Sequence, residues 1–203
     1  MKRLLSIVLI LITVLFCFSG CNLISSEKNT VGKSDNTVVG VNNALTENFA
    51  LRKKEGYSLY GARFVVNSEN VGTYTYIYTD KRPDILKYSD ILIVEVNNRT
   101  GKIEKFSSPE FAEYGSMPYD VIKTAMPLNP AAFKIDSDEA IKIAAKAHFG
   151  DNFHYNYIQA DLGYINGSTV YEIKHISLVN NNVFKTVVDV MSGTVVSSSV
   201  EDL

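Results

Sequence analysis

Two stretches of the chain, IVEVNNRTGKI (Ile93–Ile103) and KTVVDVMSGTV (Lys185–Val195), align on each other without a gap. Each reads as an alternating apolar strand, a short polar turn ending in glycine (Gly101 or Gly193), and a return strand. Glycine at that place suits a turn position with positive φ. Fixed-period self-similarity implies that one structural unit is built twice. Upstream of the second hairpin, Asp136 to Gly150 (DSDEAIKIAAKAHFG) carries the marks of a helix. Asp136 or Ser137 serves as N-cap, acids fill the first turn, and Gly150 is the stop. Ala140, Ile143, Ala144 and Ala147 recur at helical spacing as a narrow core-facing stripe. A weaker helix runs from about Asn43 to Glu55, with Leu45 and Phe49 on one face and Gly56 as its stop.

Between each helix and its hairpin lie further strands. Tyr60–Val66 and Val71–Thr79 flank a turn at Asn67–Asn70, and Tyr155–Tyr164 and Ser168–Leu178 flank Asn166-Gly167. Asn-Gly between alternating segments is a strong two-residue hairpin signal. The expected fold class is α+β: antiparallel sheet with helices packed on one face, in two helix-plus-sheet units. The expected domains are residues 41–108, a 109–134 linker containing Pro109, Pro118, Pro127 and Pro130, and residues 135–203. A short helix from Tyr119 to Met126 is expected within the linker.

The N-terminal segment sets an address. Lys2 and Arg3 precede an uncharged, predominantly apolar run from Leu4 to Phe18. A spanning helix needs about 20 apolar residues, so the run suits a secretory signal (residues 1–20) better than a membrane span. Phe18-Ser19-Gly20-Cys21 resembles the lipobox of bacterial lipoproteins, with Phe18 in place of the usual leucine. That resemblance implies a diacylglyceryl group on the Cys21 sulfur and cleavage before it. Two acyl chains anchor stably where one does not. Residues 21–40, rich in Ser, Asn, Lys and Gly, read as a flexible tether. The expected location is therefore the bacterial cell membrane, with a lipid-anchored domain on the extracytoplasmic side.

Composition then excludes whole classes of chemistry. Removing residues 1–20 takes Lys2 and Arg3 from a chain of net charge −2 and leaves −4 on 183 residues. An acidic domain of this kind is no nucleic-acid binder. Cys17 leaves with the signal and Cys21 becomes a thioether, so no thiol remains for nucleophilic, redox or zinc chemistry. No disulfide can staple the domain, and about 180 residues must be held by their core alone.

The second unit resembles the PepSY family. Asp138-Glu139-Ala140 matches its helix start, Tyr171-Glu172-Ile173 its strand, and Val188-Asp189 with Ser192-Gly193 its turn. The first unit matches only at Val96, Asn97, Thr100 and Gly101, with Asn97 replacing the aspartate. The resemblance implies a non-catalytic envelope protein that binds or inhibits another protein, such as a peptidase. Tandem units of this design also resemble the β-lactamase inhibitory protein, which grips its target with a sheet.

No catalytic residue, metal site or cofactor is expected. His148, His154 and His175 form no close metal set, and His148 suits the C-terminal dipole of its helix. No nucleophile elbow, phosphate loop or dinucleotide fingerprint is present. Asp136–Glu139 fits helix capping better than a calcium loop. Asn98-Arg99-Thr100 and Asn166-Gly167-Ser168 match a glycosylation pattern and read as turns. The candidate partner-binding face is Tyr74, Tyr76 and Tyr78 on one side of TYTYIYT. The competing reading is that these rings cover the sheet beneath a helix, or pack on Phe64. Alternative functions are a small-molecule-binding lipoprotein or a hydrolase with a triad assembled in space.

Overall fold

The computed structural model describes residues 37–48, 56–69, 71–79, 91–107, 126–149 and 154–203. The signal segment with Cys17 and Cys21, Phe49–Glu55, Gly150 and the helix expected from Tyr119 all lie outside the described residues or at their edge. Met126 itself is described and is not helical.

The chain runs as helix α1 (Val38–Asn48), then β1 (Ser58–Asn67), β2 (Gly72–Thr79), β3 (Ile91–Asn97) and β4 (Ile103–Ser107). After a 3-10 turn at Pro130–Ala132 come helix α2 (Ser137–Phe149), β5 (Tyr157–Ile165), β6 (Ser168–Ser177), β7 (Asn182–Asp189) and β8 (Val195–Asp202). All eight strands form one sheet, ordered β4-β3-β2-β1-β5-β6-β7-β8. Every pairing is antiparallel. The fold is the α+β arrangement read from the sequence, with both helices on one face.

The repeat holds at the level of single hydrogen bonds. In the β3–β4 turn, Asn97 Oδ1 accepts from the Arg99 and Thr100 N–H groups, both at 3.1 Å. In the β7–β8 turn, Asp189 Oδ1 accepts from Met191 and Ser192 N–H at 2.9 and 2.7 Å. Gly101 and Gly193 each donate at 2.8 Å to the carbonyl of that Asn or Asp. Their φ values are +66° and +71°, which a side chain would strain. A β-bulge also falls at matching places, Glu95/Val96 and Val187/Val188.

The units meet at β1 and β5, where Ala62 pairs with Leu162 and Asn67 with Tyr157. Antiparallel pairing of equivalent strands relates the units by an approximate two-fold axis normal to the sheet. Such an axis keeps both helices on one face and points their N-termini at each other. Phe64, Tyr76, Leu162, Tyr171 and Ile173 fill the sheet face beneath them, with no exposed area.

Two details differ from expectation. Helix α1 begins at Val38, so Val38–Gly40, expected in the tether, are helical. Valines and Gly40 are weak helix formers, which hid the helix from local reading. Val38, Val41 and Leu45 are buried on its inner face, and tertiary caps described below hold its start. In α2, Ala140 and Ala144 are buried as expected, but Ala147 is exposed. Its neighbour His148 turns inward instead, edge-on to Phe184 with ring centroids 5.5 Å apart.

Candidate functional site

The helix-covered face comes first because the candidate tyrosines lie on it. Tyr74, Tyr76 and Tyr78 do share a face of β2, but all three are buried. Tyr76 donates its hydroxyl to the Val38 carbonyl at 3.2 Å, and Tyr78 donates to Asn42 Oδ1 at 2.8 Å. Tyr74 packs on Phe64, with centroids 5.3 Å apart. The row is therefore corrected from a partner surface to sheet cover. Helix α1 lies on it, and the Tyr76 and Tyr78 hydroxyls satisfy buried polar groups of that helix.

The same face contains a polar junction between the helices. Three N–H groups at the start of α1 need partners outside the helix. Gly40 N–H bonds to Thr37 Oγ1 at 3.1 Å, Val38 N–H to Ser137 Oγ at 3.1 Å, and Val39 N–H to the Asp136 carboxylate at 3.0 and 3.1 Å. Asp136 is also the cap of its own helix: its carbonyl accepts from Ala140 N–H at 3.0 Å. Its Oδ1 accepts from Ser137 N–H at 2.6 Å and from the Tyr171 hydroxyl at 3.1 Å. One carboxylate thus sits between two positive helix ends.

The surroundings make the tyrosines permanent donors. Burial, and after it the carboxylates of Asp136 and Asp138, push the Tyr74 hydroxyl up to about 12. Burial and then Asp136 raise Tyr171 well above its ordinary value, and burial raises Tyr76 and Tyr78. Groups held protonated in this way act as fixed hydrogen-bond donors and not as acid–base catalysts.

Strand side chains alternate between faces, so the residues between these buried positions point to the other side. There Arg63 on β1 aligns with Asp161 on β5, which aligns with Glu172 on β6. Arg63 holds Asp161 through two bonds, Nε to Oδ1 at 2.5 Å and Nη2 to Oδ2 at 2.9 Å. Lys185 on β7 reaches Glu172 at 3.0 Å, and Lys174 lies 3.6 Å from it. Gln159 adds a long bond to Asp161 at 3.4 Å. The result is a half-buried row running from β1 to β7 across the seam between the units, with two adjacent acids, Asp161 and Glu172, flanked by Arg63 on one side and by Lys174 and Lys185 on the other. Neither helix covers it.

Sequence reasoning missed this row. Its signal was present at three of the five charges, which stand between two buried apolar neighbours: Ala62-Arg63-Phe64, Ala160-Asp161-Leu162 and Tyr171-Glu172-Ile173. What was missing was the β1–β5 register that sets them side by side.

The histidines divide. His154 is exposed. His148 Nε2 lies 2.8 Å from Ser198 Oγ and 3.3 Å from the Lys185 carbonyl, on the exposed edge strand β8. His175 is fully buried, with the Tyr155 ring edge-on at 5.3 Å. Burial, and then the nearby His148, lower its pKa to about 4. Among the described residues no group of three or more His, Cys, Asp or Glu side chains could hold a metal ion. No described helix is long and apolar enough to cross a membrane.

Fold and site together define a protein of two helix-plus-four-strand units sharing one antiparallel sheet, with both described helices on one face and the charge row on the other. Residues 134–198 match the family described as "Peptidase propeptide and YPEB domain", so the second unit is a PepSY domain. No curated protein matches the chain. Among solved structures it is similar to a protein of Clostridium difficile 630 described as a "putative lipoprotein". The likeness has 15% identity, a TM-score of 0.54, and covers 86% of this chain and 99% of that one. At this identity the likeness establishes a shared fold.

Proposed function

We propose that the chain is a non-enzymatic, lipid-anchored envelope protein that binds another protein through the helix-free face of its sheet, and that a peptidase is the class of partner. The observation that carries this reading is the charge row Arg63–Asp161–Glu172–Lys174–Lys185, which crosses the seam between the units on the side no described helix covers. A fixed pattern of charges on a preformed sheet favours specific partners and penalises others more than it adds raw affinity. The PepSY match supports a peptidase, because the family description itself names peptidase propeptides. The Phe18–Cys21 lipobox supports the anchor.

Two experiments test the two halves. Mass spectrometry of the chain recovered from bacterial membranes is expected to give a diacylated N-terminal peptide starting at Cys21. An intact Met1 rejects the anchor. For binding, Lys174→Gln with Lys185→Gln is expected to abolish inhibition of envelope peptidase activity by the chain, while far-ultraviolet circular dichroism shows it still folded at the assay temperature despite the lost Glu172 ion pairs. Undiminished inhibition by this folded variant rejects the charged face as the binding surface.

A further inference from the structure

The helix-free face of β5, β6 and β7 is banded. Beside the row of Asp161 and Glu172 runs a second row, set by the cross-strand pairs Val65–Gln159, Gln159–Lys174 and Lys174–Lys185. A third row follows, set by Tyr157–Ile176 and Ile176–Val183. Successive rows lie two residues apart along each strand, or about 7 Å. The third row is apolar: Tyr157 is 45% exposed, and Ile176 and Val183 are half-buried. Val65, 41% exposed, lies diagonally beside Tyr157 on the neighbouring strand. Tyrosine anchors protein interfaces well, because a large apolar ring carries a hydroxyl that tolerates water.

Charge on the second row is uneven. Lys174 and Lys185 stand directly opposite each other, and like charges so placed repel. Among the described residues both form their ion pairs with the same carboxylate, Glu172, at 3.6 and 3.0 Å. Asp161 is already held by Arg63. Glu201 faces Val183 from β8, at the exposed end of the apolar row, and pairs with neither lysine. Two half-exposed cations therefore share one anion at the border of an apolar strip.

We propose that the peptidase segment docking on this face sets an apolar side chain on Tyr157, Ile176 and Val183, and a carboxylate two residues along between Lys174 and Lys185. The proposal rests on the reading of this face as the binding surface and adds the chemistry of what binds there. The spacing fits an extended segment, whose side chains i and i+2 point the same way about 7 Å apart, the distance from the apolar row to the lysines. The incoming carboxylate supplies the second counter-ion and relieves the repulsion between the two lysines. A basic side chain at the same place would add a third cation to one anion, so a basic segment is rejected.

The probes are three end-blocked synthetic peptides, Ser-Leu-Ser-Asp-Ser, Ser-Leu-Ser-Lys-Ser and Ser-Ser-Ser-Asp-Ser, titrated into the full chain in detergent and followed by its amide NMR signals. The leucine–aspartate peptide is expected to shift Tyr157, Lys174, Ile176, Val183 and Lys185, and to bind more tightly than the other two. Shifts elsewhere, or equal binding of the lysine peptide, overturn the proposal. Glu172→Gln frees both lysines for the incoming carboxylate and is expected to tighten binding about two- to fivefold. Tyr157→Ala is expected to weaken it by at least as much. Unchanged or weaker binding by Glu172→Gln, with its circular dichroism native, overturns the proposal. The same signals shifting with chain concentration alone would show a second copy on this face, and also overturn it. The peptide titration needs no peptidase, so the two readings fail separately. Undiminished peptidase inhibition by Lys174→Gln with Lys185→Gln rejects the surface, whereas lost inhibition without binding of the leucine–aspartate peptide rejects only this chemistry.

Discussion

Replacing Asp136 by alanine removes one carboxylate and disturbs two helices and a strand together. The Val39 N–H at the start of α1 loses its acceptor, Ser137 N–H loses another, and the buried Tyr171 hydroxyl is left without its 3.1 Å partner. Losing a side-chain cap costs about 1 kcal/mol. Leaving a buried hydroxyl unpaired costs about 1–3 kcal/mol. Removing the negative charge from between two helix N-termini costs about 0.3–1 kcal/mol for each. These contributions overlap, because the same bonds carry part of the dipole interaction, so a combined loss of about 3 kcal/mol is expected. For a domain of this size that lowers the melting temperature by about 6–12 °C. Asp136→Asn keeps an acceptor but not the charge, and is expected to cost about half as much. The assay is urea unfolding of the full chain, followed by far-ultraviolet circular dichroism, with the slope checked for constancy. A loss below about 1 kcal/mol for Asp136→Ala, or equal losses for both variants, refutes the view that one charged group joins the helices.

His175 and Gly72 carry two further expectations. His175 titrates near 4 in the folded chain against about 6.5 unfolded, so the unfolded chain binds the extra proton first as pH falls. Its contribution is therefore whole above pH 6.5, declines between pH 6.5 and 4, and by pH 4 amounts to a loss of about 3 kcal/mol. His175→Phe should flatten that part of the stability–pH curve; an unchanged slope refutes the assignment. At Gly72 an added Cβ would lie 1.8 Å from the Val65 carbonyl oxygen on the neighbouring strand. Gly72→Ala should cost about 2 kcal/mol or more. Gly56→Ala, where nothing lies within 4 Å and φ is +86°, should cost about 1 kcal/mol from backbone strain alone. Thermal unfolding of both variants decides this, and equal melting temperatures refute it.

Turns were the most legible part of the sequence because their chemistry is local. Asn166-Gly167 adopts φ of +50° and +90°, as an Asn-Gly hairpin requires. The paired turns at Gly101 and Gly193 keep their capping Asn97 and Asp189 in the same roles. Helix α2 was legible for the same reason, since Asp136, the acids after it and the alanines lie within one segment. Helix α1 was not, because Val38, Val39 and Gly40 disfavour helix locally and the N–H partners of Val38 and Val39 lie 99 and 97 residues away. The tyrosines on β2 were placed on the right strand, but sequence alone does not say on which face the helices land. The charge row escaped because it exists only across strands: Arg63 and Asp161 are 98 residues apart.

The junction at Asp136 also accounts for where the two units have diverged. Thr37 and Asp136 are equivalent caps: each carbonyl accepts the first intrahelical bond, from Val41 and from Ala140. In an isolated helix aspartate caps at least as well as threonine, so Thr37→Asp should be neutral or slightly stabilising. The two-fold arrangement reverses that expectation, since the Asp136 carboxylate already occupies the start of α1 through Val39 N–H. A second carboxylate at the same helix start adds like-charge repulsion on the order of a few kcal/mol at an effective dielectric of about 20. Thr37→Asp should therefore destabilise the chain at pH 7. In an Asp136→Asn background, where the neighbouring charge is gone, the same change should be neutral or stabilising. A double-mutant cycle measured by urea unfolding reads the coupling directly. If Thr37→Asp has the same effect in both backgrounds, the caps do not sense each other, and the threonine in the first unit needs another cause. A sign change between backgrounds shows that bringing two helix starts together leaves room for one carboxylate, which the second unit supplies.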